Sequence, residues 1–193
     1  MRRRDYDDAD GKRVWLSQNE LDDLLDEPDD TLRSVALALA GRCGLRRHEV
    51  VGVTPADLVD GPTGTHVRVE GKGGHYREPP VPSDLQTKIG AYVDVADVEH
   101  DAPIVDRDPK TVERWVISAA EARREDTDDV GWADVRPHDL RRSWGTLLLE
   151  HGVEPGMVME WGGWRDWQTF RESYLGEFSP EAVRREREKL PWE

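Results

Sequence analysis

The run from Leu32 to Ala40, Leu-Arg-Ser-Val-Ala-Leu-Ala-Leu-Ala, is apolar almost all round. A helix with no polar face has no side to turn to water, so it must pass through the centre of a domain with other elements packed about it. Gly41 and Gly44 follow and are expected to break it. The flanking segments offer the shell that such a helix needs. Ser17 and Glu20 form a capping-box pair, with Leu16 and Leu21 placed for a hydrophobic staple, so a short helix starts there and ends near Pro28. Thr111 to Arg124 carries Val112, Trp115, Val116, Ala119 and Ala120 on one stripe. Pro137 opens a helix through Leu140, Trp144, Leu147 and Leu148, closed by Gly152. Pro155 opens a short one that ends near Gly162-Gly163, and Arg165 or Asp166 starts another carrying Trp167, Phe170 and Tyr174. A last, mostly charged helix spans about 179–190.

Between these helices, Thr65 to Glu70 alternates, Gly71-Lys72-Gly73-Gly74 turns, and His75 to Val81 returns, which reads as a β-hairpin. Val95 to Pro109 is acidic and aperiodic, as a loop would be. The expected fold is mainly α (α+β), with a small antiparallel β-sheet or hairpin. Residues 1–14 read as a disordered charged leader, and order is expected from Trp15 through a single domain, 15–193.

The chain has 41 acidic and 27 basic residues among 193, a formal charge of -14. That surplus argues against nucleic acid as a partner unless the basic groups converge locally. Acidity with few Lys beside many Arg fits a halophile: at molar salt the Debye length shrinks to about 3 Å and self-repulsion is screened. A single cysteine, Cys43, excludes an internal disulfide and reads as a small core residue in a reducing compartment. There is no signal-peptide pattern and no apolar run long enough to span a membrane, so the expected location is cytoplasmic.

The chemistry gathers at Pro137-His138-Asp139-Leu140-Arg141. His138 and Arg141 lie three apart at a helix start, on one face, where the helix dipole also favours an anion. A guanidinium fork beside an imidazole suits a phosphate.

Several motifs in order then resemble the tyrosine recombinase or phage integrase family, across roughly 15–178. Gly44-Leu45-Arg46-Arg47-His48-Glu49 resembles its first arginine motif, and Gly71-Lys72-Gly73 its lysine hairpin, continuing through Arg77 to Pro82. His138-Asp139-Leu140-Arg141-Arg142 resembles its His-x-x-Arg box. Gly162-Gly163-Trp164 stands where the family has Gly-His or Gly-Trp, and Tyr174 follows. The resemblance implies the catalytic core of DNA breaking–rejoining enzymes, site-specific recombination or integration through a covalent 3′-phosphotyrosine, and double-stranded DNA as partner. It further implies self-association on DNA or a partner recombination protein. No cofactor, metal or membrane is called for. Only about 14 residues precede the catalytic region, so the family's N-terminal core-binding domain is expected to be absent.

The roles follow from the reaction. Charge develops on the non-bridging phosphate oxygens, and Arg46 and Arg141 are the cations to stabilise it. Tyr174 is the nucleophile, and with a phenol near pKa 10 it needs a base or cation nearby. His138 is the proton acceptor or a second phosphate donor, and Lys72 the general acid for the departing 5′-oxygen. Trp164 can donate one hydrogen bond or pack the site. Glu49 supports rather than reacts. Two rival readings stand beside this one: a catalytically inactive DNA-binding relative that regulates or accompanies a full-length recombinase, and an acidic protein-interaction module with no DNA role.

Overall fold

The computed structural model describes residues 1–5, 11–71, 75–174 and 180–192. Its elements are β1 (Arg2–Asp5), β2 (Lys12–Trp15), α1 (Gln18–Asp26), α2 (Thr31–Arg42) and α3 (Arg47–Val50). Then come β3 (Leu58–Gly61), β4 (Gly64–Val67), β5 (Val69–Gly71), β6 (His75–Arg77) and α4 (Ser83–Ala96). The chain continues through α5 (Pro109–Thr127), α6 (Pro137–Glu150), α7 (Pro155–Gly162), α8 (Trp167–Tyr174) and α9 (Pro180–Arg187).

The apolar run is the central helix. In α2, Leu32 and every residue from Ser34 to Gly41 are buried, and α1, α4, α5 and α6 pack around it. Asp30 caps its start by accepting from the Arg33 amide at 2.9 Å. Gly41 does not break the helix as expected. A Cβ there would come within 3.1 Å of both Leu21 and Leu25, so the glycine lets α1 cross closely instead. The break falls at Gly44, where φ is +65° and a Cβ would collide with the Trp144 ring. Cys43 is fully buried, and burial pushes its thiol up to about 12, in keeping with a core residue.

The leader is the largest correction. Residues 2–5 are a strand, paired antiparallel with β2 in the register Arg2 to Trp15 and Asp5 to Lys12. Local composition gives no hint of this, because the partners are remote. Arg2 reaches Glu150 at 3.0 Å and Arg3 reaches Asp134 at 3.3 Å. β2 itself is sewn to α6, the Val14 amide donating to Asp139 at 3.1 Å and the Leu16 amide to the Ser143 hydroxyl at 2.8 Å.

The single hairpin read from sequence is two. β3 and β4 pair with each other, and β5 pairs with β6, Val69 facing Arg77 and Gly71 facing His75. The two are joined where His66 bridges Pro80 and the Val67 amide donates to the Pro79 carbonyl at 3.0 Å. α4 reaches Ala96, so Val95 and Ala96 are helical and the loop read from Val95 onward starts later. No described helix is long and apolar enough to cross a membrane.

A second, smaller core of Trp144, Val158, Trp164 and Phe170 lies between α6, α7 and α8. Trp15 and Trp144 are buried, whereas Trp167 is 48% exposed and makes a ring contact with Phe170.

Candidate active site

Two chain segments open into one cleft, and a third, the end of α7, backs it. The first is the loop after α2. Positive φ at Gly44 turns the chain sharply, and the Leu45 amide ties back to the Leu39 carbonyl at 3.2 Å. That puts Arg46 at the start of α3, where Glu49 accepts from its backbone amide at 2.6 Å and from its Nη1 at 2.9 Å. Arg46 keeps a third of its side chain exposed, while the Glu49 side chain is only 1% exposed.

Glu49 carries a second guanidinium, missed in the sequence. Arg77, on β6, donates Nη1 to Oε1 at 3.0 Å and Nη2 to Oε2 at 2.7 Å, a bidentate pair with both side chains buried. Burial alone would raise the Glu49 carboxyl; the Arg77 bonds and charge, then the Arg46 amide and charge, outweigh it and bring it down to about 2. The hint in the sequence was positional: Arg77 faces the buried Val69 across the β5–β6 pair, so it points inward.

The second segment is the start of α6. Pro137 is its first residue, and Asp139 accepts from the Arg136 amide at 2.9 Å. Asp139 also binds Val14 N and pairs with Arg142, whose guanidinium lies 5.7 Å from the Trp15 ring. Burial lifts the Asp139 carboxyl to about 6 against these partners, so it is still ionised at neutral pH.

Arg141 is fully buried. Its Nη1 donates to the Gly44 carbonyl and its Nη2 to the Gly162 carbonyl, and its guanidinium carbon sits 4.5 Å from the centre of the Trp164 ring. The carbonyl dipoles orient this cation without carrying a formal charge of their own. His138 stands exposed at the rim. Desolvation by the protein behind it, then the fields of Arg142, Arg141 and Arg46, press its pKa down to about 4, so the ring is neutral at pH 7.

The third segment is the end of α7. Gly163 takes the left-handed conformation (φ +68°) that stops the helix, and a Cβ on Gly162 would overlap the Trp164 ring. Trp164 is 8% exposed and packs on Trp144, Phe170 and Arg141. Of its two expected roles, this geometry provides the packing one, since the indole Nε1 is buried and the residue is not among those lining the cleft.

The result is a cleft of about 260 Å³ into which Arg46, His138 and Arg141 open, joined by Arg47, His48 and Arg136, with Glu113 the lone carboxylate. Arg47 is paired with Glu113 across it. A cavity of this size and charge suits a phosphate group. A larger groove, about 650 Å³, lies under α9 between Leu149, Val153, Ala182, Val183 and Leu190, and holds none of the singled-out residues. Two expected site residues fall outside this description: Lys72 lies outside the described residues, and Tyr174 closes α8 with its side chain likewise outside them. Arg46, His138 and Arg141 are brought together, with Glu49 behind Arg46 and Trp164 beneath Arg141.

A mainly helical domain with small antiparallel sheets matches the fold of solved recombinase structures. The XerA recombinase structure superposes with a TM-score of 0.75 at 18% identity, over 93% of this chain and 66% of that one. The XerH site-specific recombinase bound to difH substrate gives 0.68 at 18% identity, over 93% of this chain and 54% of that one. A tyrosine recombinase of Thermosipho africanus (strain TCF52B) is 28% identical over 158 residues, 76% of this chain and 51% of that protein. The chain thus spans about half the length of that curated relative. The model of the phage integrase family matches residues 14–178, and the chain belongs to that family.

Proposed function

We propose that residues 15–193 are the catalytic domain of a site-specific tyrosine recombinase, which cuts and rejoins double-stranded DNA through a 3′-phosphotyrosine. The observation that carries this reading is the gathering of Arg46, His138 and Arg141, with Arg47, His48 and Arg136, at one cleft of a chain whose net charge is -14. An acidic interaction module has no use for such a cluster, because packed cations repel one another and contribute little to folding.

In the proposed reaction the scissile phosphate sits on Arg46 and Arg141, preorganised donors for the charge that builds on its non-bridging oxygens. Tyr174 attacks phosphorus. The phenolic proton passes to neutral His138, whose lowered pKa leaves its ring nitrogen free to accept one at pH 7. The arriving phosphate, an anion, then raises that pKa and makes the proton easier to hold. Lys72 protonates the departing 5′-oxygen. Each bond broken is replaced by an ester of like energy, so the strand is rejoined by reversal with no nucleotide hydrolysis. Several such chains act together on DNA, or one acts with a partner recombination protein, in the cytoplasm and in concentrated salt, where the acidic surface is screened.

The test is a nicked suicide substrate carrying candidate sites, incubated in molar KCl and then denatured. Wild type is expected to leave a protein–DNA adduct. Arg141→Lys, whose compact ammonium lacks the planar fork that reaches both carbonyls and a phosphate, is expected to form it at least about a hundredfold more slowly. DNA bound specifically by wild type with no adduct would leave the inactive DNA-binding relative as the correct reading.

A further inference from the structure

We infer that Arg77 is a positioning residue that sets the two phosphate-binding arginines at once, Arg46 through Glu49 and Arg141 through the Gly162–Gly163 turn. The inference rests on the functional reading above only for the word phosphate; the linkage itself is geometric. Arg77 is 4% exposed, and its two Nη atoms clamp the two oxygens of Glu49 at 3.0 and 2.7 Å. Those same oxygens hold Arg46, Oε1 taking Nη1 at 2.9 Å and Oε2 the backbone amide at 2.6 Å. Both oxygens of the carboxylate are therefore shared between the two arginines.

On its other side the Arg77 stem presses on the end of α7. A Cβ built on Gly163 would lie 3.0 Å from Arg77 Cδ, so the left-handed glycine leaves room for that stem. The neighbouring Gly162 carbonyl is one of the two oxygens that orient Arg141. Arg77 belongs to β6, so docking of the β5–β6 hairpin, shaping of Arg46 and seating of Arg141 are one packing event.

The clamp also decides how much charge Arg46 presents. With Arg77 in place, Glu49 is neutralised from behind and Arg46 is left as a net cation toward the cleft. Without the bidentate clamp, the carboxylate leans on Arg46 alone, drawing its guanidinium back and cancelling its field. A lysine at position 77 keeps the charge but has no fork, so it separates the two effects.

The experiment is a double-mutant cycle read on His138, which faces Arg46, Arg141 and Arg142. The imidazole is titrated by NMR in wild type, Arg77→Lys, Arg46→Gln and the double variant, without DNA. Arg77→Lys keeps the methylene stem that packs at Gly163 and so leaves Arg141 seated; it is expected to raise the His138 pKa in the wild-type background and to leave it unmoved in the Arg46→Gln background. In the suicide-substrate assay Arg77→Lys is expected to cut the cleavage rate about tenfold or more, the usual scale for partners that orient a site residue, with DNA affinity retained. An unmoved His138 in Arg77→Lys, or the same shift in both backgrounds, would overturn the inference. Arg77→Gln is the second variant; failure of both to fold would assign Arg77 to folding alone. The titration needs no strand cleavage, so a wild type that forms no adduct refutes the functional reading and not this one.

Discussion

His138 and Asp139 are adjacent, and their environments push them in opposite ways. His138, at about 4 in the folded protein against 6.5 in the open chain, binds fewer protons folded than unfolded between those values. Its share of stability is full above pH 6.5 and lost as pH falls through 4. Asp139, raised from 3.8 to about 6, binds more protons when folded, so its share is full below pH 3.8 and lost as pH rises through 6. The two partly cancel in wild type. His138→Gln removes one of them. Urea midpoints at pH 7 and pH 5 are expected to show the variant gaining on wild type at pH 5; an equal difference at both pH values would mean that folding does not lower the His138 pKa.

At the scale of elements, α6 organises the site. Its first turn presents His138 and Arg141 to the cleft, while Asp139 and Ser143, on the opposite side, receive the backbone of β2. The Ser143 hydroxyl accepts from the buried Leu16 amide at 2.8 Å and donates to the Asp139 carbonyl at 2.7 Å. Ser143→Ala leaves that amide unsatisfied and is expected to cost about 1–3 kcal/mol in a urea melt; a loss within about 0.5 kcal/mol would show that β2 is not anchored there.

Helices with their own punctuation were readable in the sequence: the Ser17–Glu20 box, Pro137, Pro155 and the Asp166 cap all sit where the structure has helix starts. The β1–β2 hairpin was not, because Arg2 and Arg3 find their carboxylates on α6 and beside Val130–Asp134, far along the chain. β3 was hidden for a related reason, being four residues with only Leu58 and Val59 apolar. Among the residues that the cleft gathers, His138 and Arg141 were legible as a pair three apart at a helix start, and Arg46 only through the family resemblance. Arg77 was not, since a charged residue in a strand looks solvated until its partner Glu49 is seen behind it.

For the whole molecule, the proposed function sets an acidic surface against a basic cleft. Long-range attraction to DNA is expected to be weak at a net charge of -14, so the proposed binding would rely on short-range contacts at the cleft, which salt screens less than it screens distant repulsion. In the proposed function this cleft holds a phosphodiester for attack by Tyr174. The most direct measurement is to trap the covalent species on a nicked suicide DNA, digest it, and find the modified residue by mass spectrometry, with Tyr174→Phe in parallel. A nucleotide ester on Tyr174, absent from the Tyr174→Phe variant, is the expected result. An ester on another residue, or an adduct that persists in Tyr174→Phe, would contradict it.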